Sequence, residues 1–176
     1  MRAVAWVGCG RWITVLVFVV GLVSPTLAQE LPGARESLAG LAGVYVIVED
    51  IINPDVERGG LAWSTLQTDV EVKLRLAGIR VLTKTEWHAA PGSPFLSLYA
   101  QAVGLGKERL VYGPVISLGL YQKVVLARNP TITLHARTWS SLTSGVTVAK
   151  SLYKVREDVR DRVDEFINAY LAANPK

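Results

Sequence analysis

Apolar residues fall into two rhythms along this chain. From Gly43, the run Val44-Tyr45-Val46-Ile47-Val48 is almost continuously apolar. That predicts a strand covered on both faces. Trp63, Leu66, Val70, Leu74 and Ala77 then recur at steps of three and four, with Gln67, Thr68, Glu71 and Arg75 opposite. Such spacing lays an apolar stripe along one side of a helix. Gly78 follows, where a left-handed cap favours glycine. Ile79-Arg80-Val81-Leu82 predicts a second strand. Strand, helix and strand in this order are most simply a parallel unit with a right-handed crossover.

Beyond Thr83–Ser93, a connector with Trp87 over an edge of the core and His88 at the surface, the rhythm changes to two. Phe95–Val103 sets Leu96, Leu98, Ala100 and Ala102 against Phe95, Ser97, Tyr99 and Gln101. Gly104–Glu108 is a turn. Leu110–Arg128 predicts a long strand, bent at Gly113-Pro114, with Ile116, Leu118, Leu120, Gln122, Val124 and Leu126 on one face. Ser117, Gly119, Tyr121, Lys123 and Val125 take the other. Asn129-Pro130 turns the chain into Thr131–Ser140, where Ile132, Leu134 and Ala136 oppose His135, Arg137 and Trp139. The last helix runs from about Ser151, a candidate N-cap, to Ala173 along the stripe Leu152, Val155, Val159, Val163, Phe166, Ile167, Tyr170 and Leu171. Its charged run Arg156–Glu165 reads as a solvated face with Asp158–Arg162 and Arg160–Asp164 pairs one turn apart.

These elements predict an α+β domain: a single mixed sheet, β-α-β followed by an antiparallel meander, with two helices packed on one face. That packing buries the Leu96, Leu118 and Leu134 side of the meander. The reverse face then carries Phe95, Tyr99, Tyr121, Lys123, His135, Arg137 and Trp139. Cross-strand aromatic pairs stabilise a sheet without any ligand. Rings among cations are nonetheless the one arrangement here suited to binding.

Composition changes the picture chiefly at the start. Arg2 and Arg11, the apolar run Trp12–Val23, the break at Ser24-Pro25 and the small residue Ala28 have the layout of a secretory signal peptide over 1–28. Residues 29–42 read as a flexible lead-in and 43–176 as one domain. The run is short for a membrane-spanning helix, which needs about 20 residues. Cys9, the single cysteine, would leave with the leader. The mature chain then has neither disulfide nor thiolate chemistry, and no cysteine for a lipid anchor. Without Arg2 and Arg11, 17 Lys and Arg face 15 Asp and Glu. That balance gives no reason to expect nucleic acid as a partner.

The inventory of chemistry is thin. Gly-x-Ser-x-Gly and His-Glu-x-x-His are absent. Ser140 and Ser141 follow His135 without a third member for a triad. Glu49 and Asp50 are strand neighbours that point apart, unsuited to glycoside cleavage. The acidic loop Glu49–Gly60 lacks the ligand spacing of a calcium loop, though a crevice outside a parallel strand's carboxyl end is a favoured ligand position. No catalytic, cofactor-binding or metal-binding residue is assigned.

Ala42–Asp50, Leu66–Glu71, Ala77-Gly78-Ile79, Leu126–Pro130 and Phe166–Pro175 together resemble a family of small exported bacterial proteins of no assigned activity. The order strand, acidic Asn-Pro loop, helix, glycine, strand is more distantly similar to periplasmic α/β modules: the TolB amino-terminal domain and the curli-secretion and penicillin-binding-protein-activator lipoproteins. These likenesses imply an envelope interaction module and supply no catalytic residues. The expectation is a periplasmic or secreted, non-catalytic protein-interaction module, with an envelope protein or a second copy as partner and no stable membrane insertion after cleavage. The alternative is a small-molecule or glycan-binding protein, or a hydrolase, using the open sheet face or the 49–60 crevice.

Overall fold

In the computed structural model of the protein, four strands lie side by side in chain order. They are β1 (Tyr45–Val48), β2 (Phe95–Leu105), β3 (Val111–Leu126) and β4 (Asn129–Ser144). The structure describes residues 32–49, 62–105, 111–144 and 152–175, without the side chains of 102–105, 111–114, 143–144 and 152–154. The signal peptide expected over 1–28, the acidic loop beyond Glu49, the turn at 106–110 and the 145–151 connection with Ser151 lie outside these residues.

β1 pairs parallel with β2, and β2, β3 and β4 form an antiparallel meander. The mixed sheet is thus as expected, but the crossover is longer. β1 does not return through a full strand at Ile79–Leu82. That segment makes one parallel bridge, Val44 to Val81, on the opposite edge of β1. Val44 N–H donates to Arg80 O, and Leu82 N–H donates to Val44 O, both at 2.9 Å. Gly43 permits this approach, because a Cβ there would stand 2.5 Å from Arg80 O. The chain reaches β2 over two helices, α1 (Trp63–Leu76) and α2 (Lys84–Ala89). α2 occupies what the sequence suggested was a connector. Its start is a capping box, in which Thr83 Oγ1 accepts from Glu86 N–H and Glu86 Oε2 accepts from Thr83 N–H.

α1 and α3 (Leu152–Ala173) cover one face of the sheet. Leu66, Val70 and Leu74 of α1 meet Val155, Val159, Val163 and Phe166 of α3 over Val46, Leu96, Leu98, Leu118 and Leu120. This is the stripe-on-sheet burial that periodicity predicts. Trp63 lies at the rim of the stripe and stays half exposed. The segment anticipated as a lead-in joins this core. Leu38, in a short 3-10 turn at Glu36–Leu38, is fully buried. Asn174 holds it there, accepting from Gly40 N–H at 2.8 Å and donating to Leu38 O at 2.9 Å.

The charged run of α3 pairs across helices. Arg156 grips Asp69 of α1 with two donors, Nη2 reaching Oδ1 at 2.7 Å, and Lys73 meets Asp164 at 2.6 Å. Arg160 and Asp164, expected to pair with each other, therefore both face α1.

Candidate functional site

Register fixes what the uncovered face presents. Tyr45, Phe95, Tyr121 and Arg137 stand in one row across the four strands. Ile47, Ser97, Gly119 and Ser140 form the next, and Tyr99, Ser117 and Leu142 the one after. Lys123 and His135 pair on the outer side of the first row. Ser97, Gly119 and Ser140, small side chains beside Ile47, thus floor a shallow trough between Phe95–Tyr121 and Tyr99.

The first row is tightly organised. Phe95 and Tyr121 stack with centroids 5.0 Å apart and planes within 5°. His135 lies 5.7 Å from Phe95. The Arg137 stem crosses Gly119, where a Cβ would come within 2.9 Å of Arg137 Cδ and 3.2 Å of Tyr121 Cε2. Only a glycine leaves that seat open. In the trough, Ser97 Oγ donates to Glu49 Oε1 at 2.7 Å, which satisfies a serine that is almost fully buried.

α2 covers the Tyr45 end of this row. Trp87 stacks on Tyr45 at 5.1 Å and meets Phe95 edge-on at 5.7 Å. Its Nε1 donates to Ser93 O at 2.6 Å, pinning the turn in which Ser93 takes a φ of +41°. His88 and His135 both approach the same indole, at 4.5 and 6.5 Å. Sequence reasoning missed Trp87 and Tyr45 as parts of this face. Two signals were present: the phase of Tyr45 opposite Val46, and the Thr83-x-x-Glu86 box that places Trp87 on a helix.

Six of the seven expected residues share the face: Phe95, Tyr99, Tyr121, Lys123, His135 and Arg137. Phe95, Tyr121, His135 and Arg137 come together, Tyr99 stands two rows away, and Lys123 lies beyond. The seventh, Trp139, is corrected by the structure. It is 4% exposed in the core and meets Phe166 edge-to-face at 5.2 Å. The cause is a bulge: Leu120 pairs with Trp139 while Tyr121 pairs with Arg137, so Thr138 is the extra residue. One inserted residue turns every side chain after it to the other face. Leu134 is a second correction. It faces the helical side but is 41% exposed, since no described helix extends over that end of the hairpin.

The charge on this face is segregated, with the Glu49 carboxylate at the β1 end of the trough and cations on β3 and β4. Residues 122–137 contain Lys123, Arg128, His135 and Arg137 and no acid. Among the described residues no carboxylate pairs with Lys123, Arg128 or Arg137.

Among the described residues, hydrolytic geometry does not assemble around His135. Ser141 pairs with Leu118 on the buried side, where its Oγ donates to Glu165 and accepts from Arg162 Nη1 at 3.2 Å. Ser140 is on the open face, two rows from His135. Among the described residues no three His, Cys, Asp or Glu side chains converge as metal ligands, and no helix is long and apolar enough to cross a membrane. No family model matches the chain, and neither a curated protein nor a solved structure is significantly similar to it.

Proposed function

We propose that this protein is a non-catalytic interaction module of the bacterial envelope, periplasmic or secreted, whose open sheet face binds another protein. One observation carries the reading. Stacked Phe95 and Tyr121 lie beside Arg137 and Lys123, which no carboxylate among the described residues pairs with, whereas Lys73, Arg156 and Arg162 on the helical side each meet one. Aromatic and arginine side chains in one patch are the residues that dominate protein-binding energetics. The leader-like first 28 residues agree with this reading.

A photo-crosslinking side chain at Tyr99 in the exporting cell tests it. A discrete protein adduct that disappears with Arg137→Glu is expected. Adduct formation indifferent to Arg137→Glu and Tyr121→Ala would overturn it. Amino-terminal sequencing of the mature chain tests cleavage after Ala28.

A second reading, glycan binding, draws on the trough of Ile47, Ser97, Gly119 and Ser140 flanked by rings. Sugars shifting the Tyr121 resonances while the crosslink fails would favour it. Pairing of two copies through the same face would appear as a dimer in light scattering.

A further inference from the structure

The outer edge of β4 is open and marked off at both ends. β4 is last in the sheet, and among the described residues its ladder runs only to β3, with Thr131 N–H already donated to Asn129 Oδ1 at 3.2 Å. Natural sheets protect such edges with prolines, charges and bulges. Here Pro130 stands at one end and the Thr138 bulge at the other, where Ser37 Oγ sits 3.5 Å from Thr138 O. A register shift leaves Thr131 and Ile132 without ladder partners, so the regular edge is Thr133–Arg137, and among the described residues no strand lies along its outer side.

The two sides of that edge differ. Leu134, on the helical side, is 41% exposed. Thr133, His135 and Arg137 flank it on the open face, and Lys123 lies one strand further in. In strand addition, main-chain pairing supplies affinity and alternate side chains supply specificity. An aliphatic side chain of an incoming strand would therefore lie against Leu134. Carboxylates would lie against His135 and Arg137, in a stretch, 122–137, that carries no acid of its own.

We propose that the β4 edge from Thr133 to Arg137 accepts an extended segment of a partner protein in which carboxylate and aliphatic side chains alternate. This rests on the interaction reading above and adds the docking mode and the partner's chemistry. A second copy of this chain fits less well, because it brings the same cations to the same face. An anionic lipid surface leaves the row of edge N–H and C=O groups unpaired.

The test uses the mature chain and fluorescent heptapeptides, read by anisotropy and by backbone amide exchange. A Glu/Val alternating peptide is expected to bind about tenfold or more tighter than a Lys/Val one, and Arg137→Glu to weaken it by a similar factor without changing the melting temperature. It should slow amide exchange within 133–137. N-methylation of alternate peptide residues should abolish binding in one register and spare it in the other, because only half of an edge strand's N–H groups face the sheet. Equal binding of both methylated peptides, or no binding of the parent, would overturn the proposal. In either case, a protein crosslink at Tyr99 that still depends on Arg137 leaves the interaction reading standing. Loss of that crosslink removes the reading as well.

Discussion

The Arg137 side chain lies across Gly119, with its Cδ 2.9 Å from where a Cβ on that glycine would be. Gly119→Val should expel the stem from beside Tyr121 and leave the fold intact, since the obstructing atoms belong to side chains that can move. The expected cost is under about 1 kcal/mol. The Arg137 methylene protons, shifted by the Tyr121 ring, should move toward their free values in the NMR spectrum. Crosslinking at Tyr99 should fall with them.

Trp139 and Tyr121 are close in the sheet but belong to different environments. Trp139→Ala empties a core site against Phe166 and should cost about 3–5 kcal/mol in urea unfolding. Tyr121→Ala removes a surface cross-strand pair and should cost about 1 kcal/mol or less. Trp139→Phe is a sharper check. The buried indole N–H has no hydrogen-bond partner among the described residues. Removing it offsets part of the lost volume, so the cost should stay below about 1.5 kcal/mol.

Two carboxylates set the acid limb of stability. The hydrogen bond from Arg156 holds Asp69 below its ordinary range. Bonds from the Thr83 backbone, the Thr83 side chain and Arg80 lower Glu86 to about 2. Folded values below the unfolded ones mean that both contributions are fully present above about pH 4.5. They fade as pH falls through the folded values, toward about 2 for Glu86. Melting temperatures between those limits should drop with acid. Asp69→Asn and Glu86→Gln should each flatten the slope, and Asp69→Asn should cost about 1–2 kcal/mol at neutral pH.

Asn174 joins both ends of the described chain. Asn174→Ala removes the acceptor for Gly40 N–H and the donor to Leu38 O, and should cost about 1–3 kcal/mol. Amide exchange at Leu38–Leu41 should quicken before that of α1.

Much of the fold was legible because periodicity and burial share one cause. The Leu66, Val70, Leu74 stripe, the α3 stripe and the Leu96–Leu98 and Leu118–Leu120 phases are all core. The alternation also held through His135 and Arg137. It failed at Trp139 because a bulge is set by how two strands meet, and neither strand states it alone. The face of Leu134 followed from its phase, but its exposure depends on how far α3 reaches, which no local pattern encodes. Ile79–Leu82 has strand composition, yet only Val81 pairs with β1. α2 was written in Thr83 and Glu86, and its six residues are too few for a visible stripe. That hid Trp87 and made the candidate face look more open than it is.

The grip of Asn174 on Leu38 and Gly40 spans more than 130 positions. Residues emerging early from the ribosome therefore wait, unseated, for ones that emerge more than 130 positions later. Until the last turn of α3 is made, the hydrophobic plug formed by Leu38 has no latch. A growing chain thus stays open to whatever handles it, and locks only when synthesis has passed Asn174.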